Sequence, residues 1–180
     1  SASPPPPPTR LFPFDPRRRR MSVLGDDQVY VKGASDTVLA LCLGDTTTAD
    51  ATAHAMAAEG LRVLAVASRP VAAGPVPTEA ADAERDLTLL GLIGLSDPAR
   101  PHARQALEAC RAAGIKVAMI TGDHPATAAA VADQVGLTVG ERRVLTGADL
   151  PLDQDTLGQL LDHDGVVIAR VAPEQKLDIA

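Results

Sequence analysis

The second half of the chain alternates between strand-like and helix-like hydrophobic patterns, and this alternation limits the possible folds more than any other feature. Short aliphatic runs typical of strands fall at 87–95, 115–120 and 166–169, and helical patterns fall at 102–113, 125–135 and 152–161. The run at 87–95 is expected to be a buried strand. Strands that alternate with helices of this length predict a parallel, doubly wound α/β sheet with helices on its faces.

The composition agrees with an aliphatic core. Hydrophobic residues make up 46% of the chain, but aromatic residues only 2%, and Trp is absent. Such a core favours parallel strands covered by Ala-rich helices over an aromatic-rich sandwich. A net charge of −6 argues against broad binding to nucleic acid.

No membrane-spanning segment is expected, because the longest apolar stretch, at 87–95, is much shorter than the roughly 20 residues that a spanning helix needs. The two cysteines, Cys42 and Cys110, lack the spacing of a metal site or a disulfide framework. They are interpreted as unreactive core thiols of a cytosolic protein.

The first half has a different pattern. Strand-like runs at 21–24 and 28–31 flank Gly25-Asp26-Asp27, which predicts a hairpin. A helix is predicted at 45–60, closed by Gly60, and it is followed by a strand at 61–68. This half is therefore expected to be α+β with antiparallel strands.

Composition divides the chain into three parts. Residues 1–10 contain five consecutive prolines and predict an extended or disordered tail. The prolines between 70 and 77 mark a linker, after which 79–85 reads as a short exposed piece. We expect a first domain at 11–85 and a second at 86–180.

Three polar elements follow strands of the second half, where the carboxyl ends of parallel strands place functional residues. The first is Thr121-Gly122-Asp123, whose hydroxyl, close-approaching backbone and helix-capping carboxylate suit a phosphate. By itself this tripeptide is more typical of a plain strand–turn–helix connection with an N-cap.

The other two elements also have simpler interpretations. Asp97 followed by Pro98 is typical of a helix start, with Asp97 as the N-cap and Pro98 in the first turn. Lys176 is predicted one turn into a helix that follows the strand at 166–169, where a lone lysine is usually solvated.

In this order, these elements resemble the phosphorylation domain of P-type ATPases, within the haloacid-dehalogenase superfamily. The matching strings in this half are LSDPARP, MITGDHPATAAAVADQVGL and VIARVAPEQK. Three strings of the first half, FPFDPRRRRMSV, VYVKGASDTVL and GLRVLAVASR, resemble the family's nucleotide-binding domain. The resemblance is to the subgroup of calcium, sodium–potassium and proton pumps. It implies an incomplete haloacid-dehalogenase-like sheet plus a partial α+β nucleotide-binding domain.

The resemblance implies a nucleotide-contacting role for a set of residues in the first half. Phe14 would stack on adenine, Lys32 would line the pocket, and Gly33 with Ala34 would leave room for the base. Arg62 would reach the phosphates, and Arg19 stands where many members have lysine. Pro16 departs from the family, since calcium-pump relatives often place a nucleotide-contacting arginine there.

In the second half, the resemblance implies phosphate chemistry. Thr121, Gly122 and Asp123 would hold the γ-phosphate region, and Arg170 and Lys176 would neutralise phosphate charge. Lys176 would be the main electrostatic stabiliser, and Thr121 and Lys176 would be catalytic. Asp97 and Arg100 would belong to a hinge between the two domains.

The run of arginines at 17–20 has other interpretations. A charge run is usually a solvated face, and it could also touch anionic lipid or nucleic acid. If the run continued a strand, alternate arginines would face opposite sides, so that Arg19 and Arg17 would address a nucleotide.

Two family strings are absent from these 180 residues. The resemblance implies a nucleophilic aspartate in Asp-Lys-Thr-Gly-Thr and a magnesium site in Gly-Asp-Gly-x-Asn-Asp, and neither string occurs. We therefore expect a fragment of a membrane cation pump that uses ATP and Mg²⁺, with no metal ligands in this segment and reduced stability when isolated. Its partners would be ATP and the parent's transmembrane and actuator domains.

Two alternatives remain open. One is a soluble phosphatase of the same superfamily, against which the missing nucleophile counts. The other is a non-catalytic nucleotide-binding or interaction module that docks a partner through residues 1–20, whose simplest version is a remnant without function.

Overall fold

A computed structural model describes residues 8–25, 27–71, 76–138, 140, 142–151 and 153–179. The chain divides into two compact units, the first formed by Ser1–His54 and Val63–Leu95, and the second by Ala55–Arg62 and Ser96–Ala180. The units therefore divide after Leu95, ten residues later than the boundary expected from composition. The mixed α/β fold class is confirmed.

The first unit contains a five-stranded sheet in the order β1-β2-β3-β4-β5. Its strands are β1 (Arg10–Asp15), β2 (Arg20–Gly25), β3 (Gln28–Ala34), β4 (Arg62–Pro70) and β5 (Thr88–Leu95). Neighbours from β1 to β4 run antiparallel. The predicted strand pair across residues 25–27 is confirmed, although Asp26 lies outside the described residues.

Strand β1 was not predicted, because Pro13 and Pro16 interrupt its pattern. Proline is tolerated there because β1 is an edge strand, where a backbone N–H can be dispensed with. The Thr9 amide donates to the carbonyl of Leu24 at 2.8 Å, so the sheet starts inside the predicted tail. Residues 1–7 of that tail lie outside the described residues.

The helices of the first half are α1 (Ser35–Leu39), α2 (Thr47–Ala58) and α3 (Ala80–Ala83). Helix α2 confirms the predicted helix, and Gly60 adopts a φ of 84° just beyond its end, a conformation that favours glycine. The inner face of the sheet buries Leu24, Val29, Val31, Ala65 and Ala67, together with Val38 and Leu87.

Strand β5 contradicts the prediction that 87–95 is a buried strand. It lies at the edge of the first unit's sheet, and Leu90, Ile93 and Leu95 are exposed. A strand with one exposed face is normally recognised by alternating apolar and polar residues. The run at 87–95 is apolar almost throughout, so the sequence does not show that one face is exposed.

The second unit contains a three-stranded parallel sheet in the order β6-β8-β7. The strands are β6 (Met119–Ile120), β7 (Val144–Thr146) and β8 (Val167–Ala169). The helices are α4 (Ala103–Ala112), α5 (Pro125–Val135), α6 (Gln154–Leu161) and α7 (Pro173–Ile179), with a 3₁₀ turn at Gly147–Asp149. The central strand β8 is fully buried.

The parallel arrangement confirms the predicted α/β half, with two differences. Only the last two residues of the predicted strand at 115–120 join the sheet as β6. Strand β7 was missed, because three residues are too few to display a period.

Both cysteines are free thiols and half-buried. The Cys42 thiol lies 3.3 Å from the carbonyl oxygen of Val38, and burial raises the pKa of this thiol. A raised pKa leaves less thiolate, the reactive form, at neutral pH.

Candidate functional site

Strands β1 and β3 of the first sheet each carry one of the predicted nucleotide residues. Met21 of β2 pairs with Lys32 of β3, and Ser22 pairs with Val31. Because Ser22 and Val31 are buried, their neighbours Met21 and Lys32 point to the opposite, outer face. Phe14 lies in β1 beside this row, at an irregular stretch of the β1–β2 pairing, and is 59% exposed. The structure therefore places Phe14 and Lys32 in the strands on either side of Met21.

A tight turn joins β1 to β2 and contains most of the arginine run. The Asp15 carboxylate accepts from the amides of Arg17 and Arg18 at 2.7 and 3.3 Å, and these bonds lower the pKa of Asp15. Arg19 adopts a φ of 54° in this turn. The expectation that the arginines alternate along a strand is wrong, because only Arg20 belongs to β2.

Three of the four arginines form ion pairs, so the run is not simply a solvated charged face. Arg18 and Arg20 both pair with Glu84, and Arg19 pairs with Asp36 at 2.9 Å between Nη2 and Oδ2. Arg17 is exposed.

Gly33 lies where β3 passes very close to this turn. A Cβ atom at Gly33 would stand 2.4 Å from the Cβ of Arg20 and 2.5 Å from the carbonyl oxygen of Arg19. The next amide, that of Ala34, donates to the same carbonyl at 3.0 Å. The missing side chain therefore leaves room for the arginine turn, whereas the resemblance implied room for a base.

In the second unit, the loops that follow β6 and β8 are joined through their backbones. The Val171 amide donates to the Thr121 carbonyl at 3.0 Å, and the Arg170 amide donates to the Asp123 carbonyl at 3.1 Å. Arg170 has a φ of 52°. The structure therefore brings the Thr121–Asp123 loop beside Arg170 at the carboxyl ends of two parallel strands, as predicted.

Within this loop, Thr121 and Asp123 bind each other. The Thr121 hydroxyl donates to Asp123 Oδ2 at 2.8 Å and accepts from the Asp123 amide at 3.1 Å. Gly122 between them is exposed, and a Cβ there would approach only the Val171 carbonyl oxygen, at 3.7 Å.

The prediction that Asp123 caps the following helix is wrong. His124 is the N-cap of α5, and its Nδ1 accepts from the Ala126 amide at 3.2 Å. Asp123 is engaged by Thr121 on one oxygen and lies near Arg62 on the other. The histidine cap was not foreseen, because histidine is not among the preferred N-cap residues.

Arg62 is the first residue of β4, but it also ends the segment Ala55–Arg62 of the second unit and lies near this loop. Its Nε is 3.6 Å from Asp123 Oδ1, and both side chains are partly exposed. The Thr127 hydroxyl donates to the Leu61 carbonyl at 2.9 Å and ties this segment to α5. An exposed pair of this kind contributes little to stability.

Lys176 is the fourth residue of the seven-residue helix α7 and is exposed. The start of α7 is held by Gln175, whose Oε1 accepts from the Ala172 amide at 3.0 Å and whose Nε2 donates to the Gly147 carbonyl at 2.8 Å. Gln175 was not singled out in the sequence, since its partner Gly147 is 28 residues away.

The structure excludes the simpler interpretation of Asp97 as a helix N-cap, whereas α4 agrees with the helix predicted at 102–113. Asp97 and Arg100 lie in an exposed, irregular stretch, and α4 begins only at Ala103. Their role in a hinge remains a prediction.

Neither a metal-ligand cluster nor a spanning helix occurs in the part of the chain that the structure describes. No group of three His, Cys, Asp or Glu side chains is placed to hold a metal ion. No helix is both long enough and apolar enough to cross a membrane.

Comparison with known proteins agrees with this architecture. The model of the haloacid dehalogenase-like hydrolase family matches residues 42–180. The chain is 40% identical to a calcium-transporting ATPase of Bacillus subtilis, over 93% of this chain and 21% of that protein. It is also 40% identical to the probable cation-transporting ATPase I of Mycobacterium tuberculosis, over 89% of this chain and 10% of that protein.

A eukaryotic relative is similar over the same region. The sodium/potassium exporting P-type ATPase cta3 of Schizosaccharomyces pombe is 37% identical, over 93% of this chain and 19% of that protein. The chain thus spans only 10% to 21% of the length of these relatives. It belongs to the haloacid dehalogenase-like hydrolase family, and its similarity to P-type cation-transporting ATPases extends over nearly all of its length.

Proposed function

We propose that this chain is the nucleotide-binding and phosphate-handling part of a P-type ATPase, which couples ATP hydrolysis through an aspartyl-phosphate to cation transport. The observation that carries the proposal is an exposed aromatic ring, Phe14, and an exposed cation, Lys32, in the two strands that flank Met21. Such a pair of side chains suits an adenine nucleotide, because the ring stacks on the base and the cation attracts the phosphates.

In the first unit, Phe14 stacks on adenine and Lys32 lines the pocket. Arg19 contributes positive charge from the β1–β2 turn, where Asp36 orients its guanidinium. Gly33 acts indirectly, by letting β3 approach that turn.

In the second unit, Thr121, Gly122 and Asp123 surround the transferred phosphate, and Arg62, Arg170 and Lys176 supply positive charge. Phosphoryl transfer depends mainly on positioning and charge neutralisation, which are the contributions that these residues can make. The described residues do not fit a Mg²⁺ site, so no step is assigned to that ion in this chain. In the parent, the segment would stand on the cytoplasmic side with transmembrane and actuator domains of the same polypeptide, and Asp97 and Arg100 would form the hinge.

Titration with ATP should shift the backbone amide signals of Phe14 and Lys32 at millimolar ATP. Replacing Phe14 with alanine should weaken binding about tenfold, the effect of losing a stacking interaction worth about 1.4 kcal/mol. Leu11→Ala is the matched control, because Leu11 is a similarly exposed apolar residue of the same strand. Equal effects of the two replacements, or no shift in the unmodified chain, would refute the proposal.

These 180 residues should not phosphorylate themselves, because they contain no Asp-Lys-Thr-Gly-Thr string. A carboxylate nucleophile is required for an aspartyl-phosphate. We expect no acid-stable, hydroxylamine-sensitive label after incubation with Mg²⁺ and γ-labelled ATP. Labelling in proportion to the protein would show that another residue of this chain accepts phosphate.

A further inference from the structure

Glu84 is a buried carboxylate in the first unit, far in sequence from its partners. Its side chain is 0% exposed, and its Oε2 accepts from Arg20 Nε at 2.6 Å. Its Oε1 accepts from the Ser22 hydroxyl at 2.8 Å and from Arg18 Nη1. Every one of these donors belongs to the β1–β2 turn or to β2. Glu84 was overlooked in the sequence, where 79–85 was interpreted as exposed.

The backbone around Glu84 is held in place from the sheet. Arg69 of β4 donates through Nε to the Ala83 carbonyl at 3.0 Å and through Nη2 to the Asp82 carbonyl. Arg10 of β1 donates to the Thr78 carbonyl at 3.1 Å. The carboxylate is therefore presented to the turn from an anchored segment.

Arg18 connects Glu84 to the residue before Phe14. One terminal nitrogen of Arg18 donates to Glu84, and the other donates to the carbonyl oxygen of Pro13 at 3.0 Å. The Arg18 carbonyl also accepts from Arg20 Nη1 at 3.1 Å. The series of hydrogen bonds therefore runs from Glu84 through Arg18 to Pro13, the residue before Phe14. The bond between Arg18 and Arg20 also links the two neighbours of Arg19.

We propose that Glu84 is a positioning residue for nucleotide recognition: by fixing Arg18, it holds the backbone of Phe14 and the turn that carries Arg19 in their binding geometry. This inference rests on the proposed nucleotide function. It differs from a purely structural role, in which Glu84 would only stabilise the sheet. In that case any equally destabilising core replacement would affect binding to the same extent.

The test compares Glu84→Gln with Val29→Ala in the full chain. Val29 is buried in the same sheet and pairs with Leu24, at the end of β2 away from the turn, so Val29→Ala controls for lost stability. ATP affinity is measured at a temperature where all variants are folded. We expect Glu84→Gln to weaken ATP binding about fivefold or more and Val29→Ala to change it less than about twofold. Arg18→Ala should weaken binding similarly, and the double variant should show no further loss, because both residues act through one contact chain.

A second arm uses spectra recorded without nucleotide. The amide signals of Phe14 and Arg19 should move or broaden in Glu84→Gln and stay in place in Val29→Ala. If the unmodified chain does not bind ATP, the proposed function fails. The spectra without nucleotide still show, in that case, whether Glu84 orders the turn. The inference would be overturned if folded Glu84→Gln kept both its ATP affinity and its Phe14 and Arg19 signals unchanged. It would also be overturned if Glu84→Gln and Val29→Ala lost the same amount of ATP affinity.

Discussion

Replacing Glu84 with alanine should lower the free energy of unfolding by about 3–5 kcal/mol, the range observed when one partner of a buried ion pair is removed. The replacement removes the acceptor for two guanidinium groups and one hydroxyl. Arg20 has a side chain only 17% exposed, so its charge would lose its partner with limited access to water.

Chemical denaturation of the purified variant would measure this loss. The matched control is Glu79→Ala, which removes an exposed carboxylate of the same segment that makes no capping hydrogen bond to α3. This control should remain within about 0.5 kcal/mol of the unmodified chain. Similar stabilities for Glu84→Ala and Glu79→Ala would show that the buried ion pairs contribute no net stability.

The same carboxylate should make the stability of the chain depend on pH. Burial by itself raises the pKa of Glu84, but hydrogen bonds from Arg18, Ser22 and Arg20 outweigh it, so the pKa lies below its ordinary value of 4.5. A group with a lowered folded-state pKa stabilises the protein above its unfolded-state pKa. That contribution is lost as the pH falls through the folded-state pKa. Glu84→Gln should therefore reduce the loss of stability that the unmodified chain shows below about pH 4.5. Chemical denaturation at several pH values measures the free energy of unfolding of both proteins. The same dependence of that free energy on pH in the variant and the unmodified chain would contradict the prediction.

Replacing Gly33 with alanine should destabilise the chain by about 1–3 kcal/mol, the usual cost of forcing an extra methyl group into a packed site. The added Cβ would stand 2.4 Å from the Cβ and 2.7 Å from the Cα of Arg20. These atoms cannot rotate away as the end of a long side chain could. Relief therefore requires the backbone of β2 or β3 to move, and the Arg19 turn would move with it.

Gly91→Ala is the matched control for this replacement. Gly91 also lies in a strand, β5, but a Cβ there meets nothing within 4 Å. Reduced flexibility of the unfolded chain should make Gly91→Ala neutral or stabilising by up to about 1 kcal/mol. Denaturation midpoints of both variants test the comparison, and equal midpoints would mean that β3 accommodates a side chain at Gly33.

Local features were predicted most accurately. Helix α5 begins at Pro125 and ends before Gly136, as the sequence indicates, because proline suits the first turn of a helix and glycine suits the left-handed conformation after its last turn. The β2–β3 hairpin was likewise recognisable, because two strand-like runs flank a turn-forming segment. The predicted placement of Thr121 and Arg170 at neighbouring strand ends also followed from the alternation of strands and helices.

The sequence by itself thus determined the longer helices, most strands, the family and the strand ends at which its motifs lie, since each depends on residues close together in the chain. Tertiary structure alone decided that β5 joins the first sheet, that Gly33 accommodates the arginine turn and that Glu84 is buried among arginines. Glu84 and Arg18 are 66 residues apart, so their contact exists only because the sheet brings distant segments together. No local period or propensity records such a contact, whose formation depends on which edges pair and which faces are buried.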